Sequence, residues 1–166
     1  MNTVLILRGP AGVGKSTTAK LIQQKLGPNW THLNVDEFKY YMPLKPGDSN
    51  RAERSRIAHD VTKFFAREMY RQGYDVILEE MYKQPYNDSL VAFLRENDMK
   101  YLKVFLYAPE DDVVERSAHR EKKPPADELR RHYKEIVPYA DDFVIDTSKH
   151  SIEAVAELIA QKLNQG

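Results

Sequence analysis

Gly9, Gly12 and Gly14, followed at once by Lys15, Ser16 and Thr17, form the segment of this chain with the clearest capacity for chemistry. Glycines let a backbone turn tightly and bring its N–H groups close to an anion. A lysine directly behind them adds a point charge, and a serine hydroxyl is a hard oxygen ligand for a divalent cation. Gly9, Gly14, Lys15 and Ser16 satisfy every fixed position of G-x-x-x-x-G-K-S/T, the Walker A phosphate-binding pattern. At average composition such a match arises by chance in roughly one chain in two hundred of this length. The chemistry it predicts is a grip on ATP and Mg²⁺. The backbone of Gly12, Val13 and Gly14 cradles the phosphates, Lys15 sits on the β- and γ-phosphates, Ser16 ligates the metal, and Thr17 donates near the α-phosphate. The alternative is a glycine-rich turn with a surface lysine.

Such a loop must follow a buried strand and open a helix, and the flanking residues supply both. Val4 to Leu7 is a continuous apolar run, and Lys15 to Leu26 places Ala19, Leu21, Ile22 and Leu26 at helical spacing before Gly27-Pro28. Further along, apolar runs alternate with helical periods, the pattern of an α/β domain with a parallel sheet. Strands are predicted at His32–Val35, Val76–Leu78, Leu102–Tyr107 and Phe143–Ile145. Helices are predicted at Arg51–Arg71, with Ile57, Val61, Phe64, Phe65 and Met69 on its apolar side, and at Asn87–Glu96, Glu110–Lys122, Asp127–Ile136 and from Ile152 onward. Residues 1–166 read as a single domain, a three-layer α/β/α sandwich around a parallel sheet of about five strands.

Other residues could complete the chemistry. Glu79 and Glu80 end the third strand, at the carboxyl edge where open α/β sheets bind ligands. Adjacent strand residues point to opposite faces, so one of the two is expected to serve Mg²⁺ or an acceptor, and the sequence does not decide which. Arg116 and Arg120 share one helix face and match the charge of phosphate oxygens, although a solvated face of i,i+4 pairs would look the same. Arg51, Arg54 and Arg56 could meet an anionic acceptor, and a solvated face is the better reading. Tyr40, Tyr41 and Met42, together with Tyr82 and Tyr86, could wall an acceptor pocket. Trp30 is read as packing and His119 as a surface residue.

The signatures D-x-x-G and N-K-x-D of GTPases are absent, as are H-R-D and D-F-G of protein kinases, and Thr17 stands where a dinucleotide fingerprint needs glycine or alanine. Val35-Asp36-Glu37-Phe38 after the second strand, Arg116 and Arg120 on one helix, and Asp146-Thr147-Ser148 before the last helix give an order of motifs that resembles the small P-loop kinases. Within them the chain is most similar to the AAA_33 branch that holds zeta toxins and chloramphenicol phosphotransferase, and also to the kinase domain of polynucleotide kinases. The resemblance implies a sheet of the nucleoside-monophosphate-kinase-like type, Asp36 as general base, and a lid over about 110–135 whose Arg116 and Arg120 close on ATP. It also implies a loop at Thr147 and Ser148 near the adenine. The alternative for Asp36 is the cap of a helix starting at Glu37.

Acidic and basic residues balance at 25 each, which argues against a global attraction to nucleic acid or membrane. No apolar stretch is long enough for a membrane helix, and the absence of cysteine excludes disulfides and thiolate metal sites. These residues point to a cytoplasmic, ATP- and Mg²⁺-dependent kinase acting on a hydroxyl of a small acceptor. Asp36, Tyr40, Arg54, Glu80 and Tyr82 are expected around that acceptor. The rivals are a nucleotide or polynucleotide 5′-hydroxyl kinase, and a non-kinase ATPase or nucleotide-driven switch. Oligomeric state cannot be read from the sequence.

Overall fold

β1 (Val4–Arg8) is buried along its whole length, as a central strand covered on both faces must be. The structure is a computed structural model and describes residues 2–118 and 126–165. After β1 come α1 (Lys15–Leu26), β2 (Trp30–Asn34), α2 (Val35–Tyr40), α3 (Arg51–Arg71), β3 (Asp75–Glu79) and α4 (Gln84–Glu96). They are followed by β4 (Tyr101–Tyr107), α5 (Glu110–Ala118), α6 (Ala126–Glu135), β5 (Phe143–Asp146) and α7 (Ile152–Asn164). The strands are parallel throughout, in the order β2-β3-β1-β4-β5, and helices cover both faces. This is the expected three-layer sandwich.

Alternation along β1 divides the core in two. Leu5 and Leu7 pack with Ala19 and Ile22 of α1 and Val155 and Ile159 of α7. Val4 and Ile6 face the other way, toward Ala58 and Ala66 of α3 and Leu90 and Leu94 of α4. From β1 the chain leaves through α1 toward one sheet edge, and from β3 it leaves through α4 toward the other. The crevice therefore opens between the carboxyl ends of these adjacent strands. Their register sets Leu7 opposite Glu79, which brings the glycine loop and the two glutamates side by side.

Three local expectations shift. Val35 does not extend β2 but starts α2, because the Asn34 side chain accepts the Asp36 N–H at 2.9 Å and caps the helix. α4 begins at Gln84 instead of Asn87, with Pro85 in its first turn, where a missing N–H costs nothing. In α3 the bounds are as predicted, but Val61, Phe64 and Phe65 are 42%, 52% and 45% exposed. Its buried residues are Ala58, His59, Thr62 and Ala66, mostly small side chains that suit a close approach to the sheet. Phe64 and Phe65 lean instead on Phe93 and Phe38.

Candidate active site

The turn out of β1 has no room for a side chain at its start. Gly9 adopts φ 144°, and a Cβ there would lie 2.2 Å from the Leu106 carbonyl oxygen of β4. Gly14, at φ 99°, delivers the chain into α1 with no side-chain cap, so the N–H groups of the first turn face outward, ready for an anion. Lys15 Nζ donates to the carbonyls of Gly9 and Pro10 at 2.9 and 2.8 Å. Ser16 Oγ donates to Glu79 Oε1 at 2.5 Å, joining the loop to β3.

A cavity of about 330 Å³ opens over this loop. Ala11, Gly12, Gly14, Lys15, Ser16 and Thr17 form one wall, and Asn34, Asp36, Glu79, Glu80, Met81 and His132 the other. Both glutamates face the cavity, and each has its own partners. Glu79 is 3% exposed and takes a 2.8 Å bond from His32 Nε2. Burial pushes its carboxyl up, but the bonds from His32 and Ser16 and the charge of Lys15 outweigh that and hold it below its ordinary range. Glu80 is also buried. Burial again pushes upward, but His59, the Lys39 ammonium and the Tyr82 N–H bring its carboxyl down to about 2.

Asp36 stands at the open side of the cavity, its side chain 54% exposed. Lys39, one helical turn on, bridges it to Glu80, with Nζ 2.7 Å from Asp36 Oδ1 and 3.5 Å from Glu80 Oε1. Burial alone would lower the Lys39 pKa, yet the two carboxylates raise it above its ordinary value. The Asp36 carboxylate does not cap α2; Asn34 does.

Arg116 lies on the other side of the glycine loop. Its Nη1 donates to Thr147 Oγ1 at 3.3 Å and its Nη2 to the Thr147 carbonyl at 3.2 Å. With Gly12, Val13, Gly14, His150, Ile152 and Val155 these two residues line a second cavity of about 330 Å³. Ser148 is turned back on Asp146, and Ser151 caps α7 by accepting the Ala154 N–H. Arg120, His119 and Lys122 lie outside the described residues, between α5 and α6. Arg54 reaches inward to the Lys39 carbonyl at 2.5 Å, while Arg51 and Arg56 pair with Asp48 and Asp60 at the surface. Tyr40 is 79% exposed and faces solvent, and Tyr82 is only 2% exposed, packed edge-on against His59. Trp30 packs in the core.

The sequence did not single out Asn34, Met81 and His132, which line the cavity, or Lys39, His32 and His59, which contact its carboxylates. A signal existed for two of them. Lys39 is i+3 from Asp36 on a predicted turn of helix, and His32 shares a strand face with Asn34. For His59 and His132 the sequence carried none.

The donors present suit Mg²⁺. Ser16 Oγ and the Glu79 carboxylate are hard oxygens in mutual contact. No group of three or more metal-binding side chains stands ready among the described residues. A sparse set of this kind matches a cation that keeps water and phosphate oxygens in its shell. No helix among these residues is long and apolar enough to cross a membrane.

Comparison with solved structures places the fold among small P-loop kinases. The Deinococcus radiodurans tunicamycin resistance protein superposes with a TM-score of 0.72 at 20% identity, over 98% of this chain and 96% of that one. An APS kinase from Mycobacterium tuberculosis gives 0.72 at 18% identity, covering 98% of each. A gluconokinase from Sinorhizobium meliloti gives 0.68 at 18%, over 98% of this chain and 95% of that one. No curated protein sequence matches. The AAA domain profile of the AAA_33 family matches residues 4–136, the stretch from β1 to the end of α6, and this chain belongs to that family.

Proposed function

We propose that the chain is an ATP- and Mg²⁺-dependent kinase that transfers the γ-phosphoryl group to a hydroxyl of a small acceptor. The observation that carries this reading is the pairing of Asp36 and Glu80 through Lys39 in the same cavity as Lys15 and Ser16. A phosphate grip alone suits any nucleotide-binding protein. A carboxylate at the open side of that grip, beside a cation, is what a hydroxyl acceptor needs. The likeness of the fold to a gluconokinase and an APS kinase supports it further.

In this mechanism the N–H groups of the first turn of α1 and Lys15 hold the β- and γ-phosphates. Ser16 and Glu79 would hold Mg²⁺, which when bound neutralises charge on the phosphate oxygens. Arg116 and Thr147 wall the cavity that takes the nucleoside end, and a role for Arg120 on the phosphates rests on the resemblance alone. Asp36 accepts the proton of the acceptor hydroxyl as that oxygen bonds the γ-phosphorus. The bond from that phosphorus to the β,γ-bridging oxygen breaks, and ADP leaves. Lys39, held between the two carboxylates, supplies a positive charge beside the acceptor side of the cavity. Dependence on ATP argues for a cytoplasmic setting.

The test is a panel of sugars, sugar acids, nucleosides and hydroxylated antibiotics, incubated with γ-labelled ATP and read for label on the acceptor. At least one compound should be labelled, and Lys15→Ala should slow transfer about 10³-fold. Asp36→Asn should slow transfer about a hundredfold, with ATP affinity kept. Hydrolysis that needs Glu80 but not Asp36, with no acceptor labelled, would mark a nucleotide-driven switch instead.

A further inference from the structure

β1 ends on a charge that the core would ordinarily reject. Arg8, the residue immediately before Gly9, is 1% exposed. Its guanidinium lies between two rings, 5.0 Å from the centroid of Phe105 and 4.2 Å from that of Tyr139. Nη1 donates to Asp142 Oδ2, and Nη2 donates to the Val137 carbonyl at 3.0 Å and to the Tyr82 carbonyl at 3.4 Å. One planar fork thus joins the root of the phosphate loop, the exit of β3, the chain returning from α6 and the turn before β5.

The charge of Asp142 alone would not require this arrangement. Asp142 also accepts the Tyr139 N–H at 2.7 Å, and Lys103 Nζ lies 3.5 Å from its other oxygen. What the fork adds is two main-chain carbonyls from distant parts of the chain, held by one nitrogen while the other holds Asp142, a spread across one rigid plane that the single nitrogen of a lysine does not reproduce. One of them belongs to a residue under strain. Tyr82 sits at φ 49°, in the left-handed region that a bulky side chain adopts only where its surroundings impose it. Its carbonyl is held by Arg8, and its N–H donates to Glu80 Oε2. Arg8 therefore reaches the cavity through one residue, from guanidinium to Tyr82 to the Glu80 carboxylate, which Lys39 joins to Asp36.

We propose that Arg8 is a positioning residue: by fixing the left-handed Tyr82 it aims the Glu80 carboxylate into the cavity, and it ties that setting to the root of the α5–α6 segment. The consequence for catalysis rests on the kinase reading above. The consequence for the backbone of Tyr82 does not.

Two variants separate this role from mere packing. Arg8→Leu combined with Asp142→Leu removes a buried ion pair as a unit, an exchange that proteins commonly tolerate. Arg8→Lys keeps the charge opposite Asp142 and loses the fork, and it serves if the double variant does not fold. In whichever variant folds, hydrogen exchange at the Tyr82 amide should quicken at least about tenfold while the amide of Ile6 stays protected. ATP affinity should stay within about threefold, and transfer to an acceptor from the panel should slow about tenfold or more. Adding Glu80→Gln to the variant should cost less than about a further twofold, because both changes break the same link. A Tyr82 amide protected as in the wild type, or transfer losses that simply multiply, would overturn the proposal. If the wild type phosphorylates nothing, the kinase reading falls and the Tyr82 amide alone decides the role of Arg8.

Discussion

Glu79 and Glu80 are neighbours in the chain and belong to opposite halves of the cleft. Strand alternation carries Glu79 toward α1, where a serine hydroxyl and an imidazole span its carboxylate at 2.5 and 2.8 Å. Glu80 turns toward α2 and α3 and is held by a lysine, a backbone N–H and a histidine whose Nε2 is 3.7 Å away. The first half is compact and tied to one loop. The second is a longer-range web of charge drawn from three elements. In the proposed kinase these two acidic residues divide the work: one would stiffen the phosphate grip, and the other would shape the region where an acceptor arrives.

Substitutions can break that division, and the largest effect belongs to the donor half. Lys15→Ala should slow transfer about 10³-fold, about 4 kcal/mol at the transition state, with single-turnover label transfer as the measurement. Next in size is a stability effect in the other half. The Glu80 carboxyl falls from its ordinary 4.5 to about 2 in the folded chain, worth about 3 kcal/mol. Because the folded value is the lower one, this contribution is fully present above the unfolded value and is lost as pH falls toward 2. Urea unfolding of the wild type and Glu80→Gln should differ by about 3 kcal/mol at neutral pH and converge in acid. Equal gaps at both ends of the range would show that the web around Glu80 is not held by its charge.

Glu79→Gln should instead raise the Mg²⁺ concentration needed for half-maximal rate about tenfold, while Glu80→Gln leaves that midpoint nearly unchanged. Identical midpoints in the two variants would erase the proposed division. Smallest of all, Phe64→Ser, which loses the edge-on contact with Phe93, should cost about 1 kcal/mol of stability and leave transfer alone, as thermal unfolding and the label assay can check.

The donor half could be read from sequence because Gly9 to Ser16 holds its chemistry and its geometry within one short segment. The parallel sheet was legible for a similar reason, since buried strands such as Val4 to Leu7 and intervening helical periods announce themselves locally. The links of Lys39 and His59 to Glu80 form only when β2 and β3 are in register and α3 is packed, and none of those relations is local. The apolar side of α3 misled because Phe64 and Phe65 are large, whereas the surface that meets the sheet is built from Ala58, Thr62 and Ala66. Burial there follows closeness of approach, and hydrophobicity alone does not register that.

Lys15 rests on the carbonyl oxygens of its own loop. Binding a nucleotide therefore exchanges existing bonds for new ones, and only a ligand long enough to reach the ammonium returns what is given up. A nucleoside monophosphate stops short of that point and should gain little from the loop, whereas a triphosphate recovers the full exchange. In the proposed kinase the contacts of one lysine would thus act as a length gauge, favouring ligands that carry at least a β-phosphate over monophosphates.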